Sequence, residues 1–120
     1  PDTISTDAHQ GSLYMPRATM PITMSKLMNM GMSFSHAVEK STVAPARTIK
    51  RPDLGTLSVG SVADVAVLDL ENGDFGFVDS GLARMRGNQR LTCHITIRGG
   101  EIVWDMNGLS RPSWETQGRY

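Results

Sequence analysis

A chain of 120 residues with twelve Lys and Arg against twelve Asp and Glu has no net charge, so no overall field draws it to nucleic acid or an anionic membrane. Its one cysteine, Cys93, cannot form an internal disulfide, and no apolar run nears the roughly 20 residues of a membrane span, which makes a soluble, cytoplasmic protein the expectation. The length suits one ordinary domain, large enough to bury a core but too short for most two-layer enzymes with elaborate sites.

Thr3 to Thr6 read as a short strand with Asp7 at its end, followed by a loop marked by Gly11 and Pro16. From Thr19, Met20, Met24, Leu27 and Met28 recur at helical spacing and Gly31 supplies a stop. Ser33 can cap a second helix carrying Phe34, Ala37 and Val38, and Pro45 suits the start of a third short turn. Together these predict a helical hairpin of the kind that backs a barrel strand.

Beyond Arg51-Pro52-Asp53 the pattern changes to strands. Leu57 to Val59 and Val62 to Leu70 are apolar and β-branched runs broken by Gly55 and Gly60. Glu71-Asn72-Gly73-Asp74 and Gly87-Asn88 read as turns, with Phe75 to Val78 a short strand between them. Leu91, Cys93, Ile95 and Ile97 alternate with Thr92, His94, Thr96 and Arg98, and Gly99-Gly100 reverses the chain into Glu101 to Trp104. The closing stretch with Gly108, Pro112 and Gly118 has no periodicity and reads as a tail.

Chemistry concentrates at the start, in Ser5-Thr6-Asp7-Ala8-His9. An aspartate ending a strand ahead of a glycine-containing loop is either a turn cap or a carboxylate placed for metal and proton chemistry. His36, beside Glu39 and Lys40, reads as a solvated residue, and His94 falls on the polar side of its strand, opposite Cys93. The methionines at helical spacing read as core, Cys93 as packing with Ile95 and Ile97, Asp64 as an acceptor for backbone N–H groups at a strand entry, and Arg47 as a cation at a helix end.

Three anchors in order resemble the closing part of an amidohydrolase-superfamily metallohydrolase: Ser5 to His9, Thr42-Val43-Ala44-Pro45-Ala46-Arg47, and the run from Gly55 to Asp69 with its Gly-x-Leu-x-x-Gly-x-x-Ala-Asp spacing. Phe75-Gly76-Phe77-Val78-Asp79 and Gly99 to Gly108 are similar to the dihydroorotase-like and amidohydrolase/deacetylase branch, and the resemblance runs from Asp2 to Trp114. It implies α/β plus β architecture: residues 1–53 as the last strand and helices of a (β/α)8 barrel, 54–108 as the C-terminal part of a small β-sandwich, and 109–120 as a tail. It also implies a divalent metal, zinc first, as one or two ions, and hydrolysis of an amide, N-acetyl, cyclic-amide or ester bond in a small-molecule substrate. Asp7 corresponds to the metal ligand and proton shuttle and His9 to a substrate-binding residue, with Gly11 and Ser12 in the same loop.

The family's other metal ligands would precede Pro1, so the chain is expected to belong to a longer protein, to be inactive alone and to be prone to aggregation. Family members often form homo-oligomers. The alternative reading is a non-catalytic β-rich module from Leu54 to Asp105 that binds a partner through open strand edges.

Overall fold

The computed structural model describes residues 1–13 and 19–118. The helical spacing of the methionines becomes α2 (Met20–Asn29), preceded by the short α1 (Gln10–Leu13) and followed by α3 (Phe34–Ser41) and α4 (Val43–Thr48). Gly31, at φ 105°, ends α2 in the conformation that glycine adopts without strain. The Ser33 hydroxyl caps α3 by accepting the His36 backbone N–H at 3.3 Å. Met24 and Met28 meet Ala37 and Leu91 in the core, with Met20, Met32, Val38 and Leu68 packed around them.

The remainder is a three-stranded antiparallel sheet in the order β1 (Val65–Val78), β2 (Arg84–Arg98), β3 (Glu101–Asp105). Gly99 and Gly100, at φ 56° and 87°, form the expected reversal between β2 and β3. Asp64 acts as anticipated: its Oδ1 accepts the Gly99 N–H at 2.8 Å, fastening the entry of β1 to that turn. Upstream, Gly55 lies so close to α3 and α4 that a Cβ there would stand 2.6 Å from the Thr42 carbonyl carbon.

Several expected elements take another form. Thr3 to Thr6 make no strand; the segment is held by one bond from the Ile4 N–H to the Lys40 carbonyl at 2.8 Å, because no strand among the described residues lies alongside to form a ladder. Leu57 to Val59 lie outside any strand, exposed at Leu57 and Val59. The two turn-like peptides do not reverse the chain. Asn72 pairs with Gln89 and Phe75 with Gly87, so these segments face each other inside two long strands and the surplus residue of β1 is absorbed as a bulge. The reversal falls at Asp79–Ala83, where Asp79 Oδ1 accepts the Ala83 N–H at 2.8 Å.

A second bulge corrects the alternation read along β2. Val67 pairs with Ile95 but Leu68 with Cys93, leaving His94 as the extra residue. The period therefore slips by one, and Ile95 and Ile97 share a face with Val65 and Val67, opposite Cys93. Cys93 keeps company with Thr96, its Sγ 3.4 Å from the Thr96 hydroxyl. The carbonyls displaced by the bulge find partners: the Trp104 indole N–H donates to Cys93 O at 3.3 Å and the Met106 N–H to His94 O at 2.9 Å.

Candidate functional site

Asp7 sits in the loop between the segment that Ile4 anchors to α3 and the start of α1. Its φ of 50° is in the left-handed region, which aspartate tolerates better than most residues, and its backbone N–H donates to Ser5 Oγ at 3.2 Å. The residue is exposed, and its carboxylate forms no ion pair among the described residues. An open carboxylate of this kind fits a hard divalent cation as one ligand.

His9 is the N-terminal cap of α1. Its Nδ1 accepts the Gly11 N–H at 3.2 Å, and Ser12 Oγ in turn accepts the His9 N–H at 2.8 Å, a reciprocal capping arrangement. The loop thus holds two local bonded groups, Ser5 with Asp7 and His9 with Gly11 and Ser12. Pro16, expected to close it, lies outside the described residues.

Among the described residues, no three His, Cys, Asp or Glu side chains converge where a metal ion could sit. Catalytic zinc takes about three protein ligands, a set that the described residues do not bring together. His36 is exposed on α3, and His94 reaches only Asp69, 3.9 Å away; neither joins Asp7.

Charge is also organised on the sheet. Glu71 accepts from Arg90 Nε and Nη2 at 2.9 and 2.6 Å and from the Thr92 hydroxyl at 3.0 Å. The guanidinium, and then the hydroxyl, hold the Glu71 carboxyl below the usual glutamate range. Asp105 is likewise lowered, first by the Ser110 hydroxyl, in a turn where it also accepts the Leu109 and Ser110 N–H groups. A groove of about 1120 Å³ between α2, α3 and the sheet, lined by Met20, Phe34, Val38, Leu57, Leu68 and Trp104 among others, was not visible in the sequence because it forms between distant segments.

A loop that presents one carboxylate and one imidazole, set before a helical hairpin and a β-rich unit, is not by itself a complete active site. Residues 2–103 match the amidohydrolase family, and the chain belongs to that family. It is 35% identical to a deacetylase of Brucella anthropi over 103 residues, covering 86% of this chain and 26% of that protein. A deacetylase of Agrobacterium fabrum is 40% identical over 103 residues, again 86% of this chain and 25% of the relative. The crystal structure of an adenine deaminase superposes with a TM-score of 0.77 at 28% identity, over 87% of this chain and 28% of that one. A dihydroorotase superposes with a TM-score of 0.76 at 33% identity, over 88% and 28%. The chain spans about a quarter of the length of the curated relatives it matches.

Proposed function

We propose that this chain is the closing part of an amidohydrolase that cleaves the carbon–nitrogen bond of an amide, N-acetyl or cyclic-amide substrate, or an ester. The observation that carries this reading is the family match across residues 2–103, reinforced by the deacetylase relatives and the dihydroorotase likeness. In it, residues 1–53 complete a (β/α)8 barrel, residues 54–108 contribute to a small β-sandwich, and residues 109–120 form a tail.

Asp7 would hold one position on a divalent metal, zinc first, whose remaining ligands come from outside the described residues. Such an ion, when bound, polarises a substrate carbonyl and makes water a stronger acid. Asp7 accepts the proton of the attacking water and passes it to the leaving nitrogen, a task for which a solvent-open carboxylate beside the reacting atoms is suited. His9, two residues on, binds the substrate. Because the described residues hold a single such ligand, the chain alone hydrolyses nothing.

The test is hydrolysis of N-acetyl and cyclic-amide substrates by the full-length protein and its Asp7→Asn variant. The substitution keeps the shape and removes the proton acceptor, so kcat falls on the order of a thousandfold. A variant that retained the wild-type rate would refute the role given to Asp7.

A further inference from the structure

The chain carries two Asn-Gly pairs, Asn72-Gly73 and Asn107-Gly108, and the fold restrains them differently. In such a pair the glycine backbone nitrogen can attack the asparagine Cγ, since no Cβ on the following residue blocks the approach, but the attack needs a backbone freedom that a strand ladder denies. Asn72 and Gly73 lie within β1, where Asn72 pairs with Gln89. The Phe75 ring covers Gly73, so that a Cβ there would stand 3.0 Å from Phe75 Cζ, and the Arg90 guanidinium lies 4.5 Å from the centre of the same ring. Asn107 and Gly108 instead follow the end of β3 in a turn. Gly108 has a φ of 66° and open space where a Cβ would be, and among the described residues its N–H donates to no acceptor. The bonds of this turn lie on either side of the pair: Asp105 accepts the Leu109 and Ser110 N–H groups at 2.9 and 2.8 Å and the Ser110 hydroxyl at 2.7 Å. Both pairs are exposed to water, so backbone restraint, not exposure, separates them.

We propose that Asn107 is a site of self-modification, converted by the Gly108 nitrogen and water to aspartate and isoaspartate, while the β1–β2 ladder protects Asn72. The Gly108 nitrogen gives up its proton and bonds to Asn107 Cγ. The Cγ–Nδ2 bond breaks, the side-chain nitrogen leaves with that proton as ammonia, and a five-membered imide closes. Water then opens the ring at one of its two carbonyls. Opening at Cγ yields aspartate; opening at the backbone carbonyl yields isoaspartate, whose main chain runs through the former side chain and is one methylene longer. The net change is gain of water and loss of ammonia, with no oxidant or reductant. Either product sets a second carboxylate two residues from Asp105. The isoaspartyl form also lengthens the chain between Asp105 and the Leu109 and Ser110 N–H groups that it holds, so the turn tying the tail to β3 loosens.

The experiment incubates the full-length protein in H₂¹⁸O at mildly alkaline pH, maps its peptides by mass spectrometry and measures isoaspartate with an isoaspartyl carboxyl methyltransferase. In the native protein Asn107 should take up heavy oxygen at least about tenfold faster than Asn72, which must wait for the ladder to open. In urea the two rates should come within about twofold, because the same pair is then equally free at both places. Asn107→Gln, whose longer side chain closes a ring far less readily, should remove the isoaspartyl peptide that spans residue 107 and leave the peptide that spans Asn72 unchanged. In the modified protein the Leu109 and Ser110 amides should exchange with solvent faster than before incubation. Equal native rates at the two pairs, faster modification at Asn72, or a tenfold ratio that persists in urea overturns the proposal; unchanged exchange at Leu109 and Ser110 overturns the loosening of the turn.

Discussion

Glu71 illustrates how a single side chain is tuned by residues far along the chain. Arg90, 19 positions away, reaches it with two guanidinium nitrogens and also stacks over the Phe75 ring at 4.5 Å. The lowered Glu71 pKa means that the folded protein keeps the carboxylate charged where the unfolded chain begins to take up a proton. Its stabilising contribution is therefore complete above the ordinary glutamate value and disappears as pH falls through the lower folded value. In Arg90→Gln the first cause of that shift is gone, so carboxyl ¹³C titration should show Glu71 moving up toward the ordinary value; an unmoved titration would contradict the assignment. This pair was invisible in the sequence because the ladder register alone brings positions 71 and 90 together. Asp7 and His9 were singled out from adjacent sequence and resemblance alone, and the bonds around each span only two or three residues.

At the scale of elements, α2 does more than fill the core with methionine. Beyond the reach of β3, β2 has an open edge, and α2 covers it with Ser25 and Asn29. Ser25 Oγ accepts the Leu91 N–H at 2.8 Å; Asn29 Oδ1 accepts the Asn88 and Gln89 N–H groups at 2.8 and 3.2 Å, and Asn29 Nδ2 donates to Gln89 O at 2.7 Å. Four helical residues advance about 6 Å and two strand residues about 6.6 Å. Side chains four apart on the helix can thus serve strand residues two apart. Close approach also requires Gly87, where a Cβ would fall 2.4 Å from Asn29 Cγ. Asn29→Ala should lower stability by about 2–3 kcal/mol, the cost of leaving several partly buried backbone groups unpaired, read as a drop in urea midpoint of the full-length protein with an unchanged slope. A loss below about 0.5 kcal/mol, the range of ordinary surface changes, would mean that water replaces the asparagine. The helix and the β2–β3 hairpin were readable from spacing and from Gly99-Gly100. The long hairpin β1–β2 was not, since Asn72-Gly73-Asp74 and Gly87-Asn88 carry turn chemistry that their mutual pairing converts into a bulge.

The whole molecule is too open for its mass. A compact monomer of 13.1 kDa would expose roughly 6,400 Å², but this chain exposes 8916 Å². Its radius of gyration is 16.6 Å, where about 13.6 Å is expected for a compact domain of this length. The surplus of about 2,500 Å² is what one partner buries in a large obligate interface, and much of it is apolar. Val67, Ile102, Leu57, Val59 and Trp104 are exposed, and the second bulge turns Val65, Val67, Ile95 and Ile97 toward the sheet face away from α2. In the proposed enzyme the remaining barrel and sandwich cover these surfaces. Produced alone, the 120-residue chain should bind a hydrophobic dye, scatter light as its concentration rises and melt broadly. Val67→Lys combined with Ile102→Lys should lower dye binding by interrupting the apolar sheet face without touching the core under α2. A dye-free monomer with a sharp, reversible melt would show that the chain satisfies its own surface, and would remove the physical ground for placing it inside a larger hydrolase.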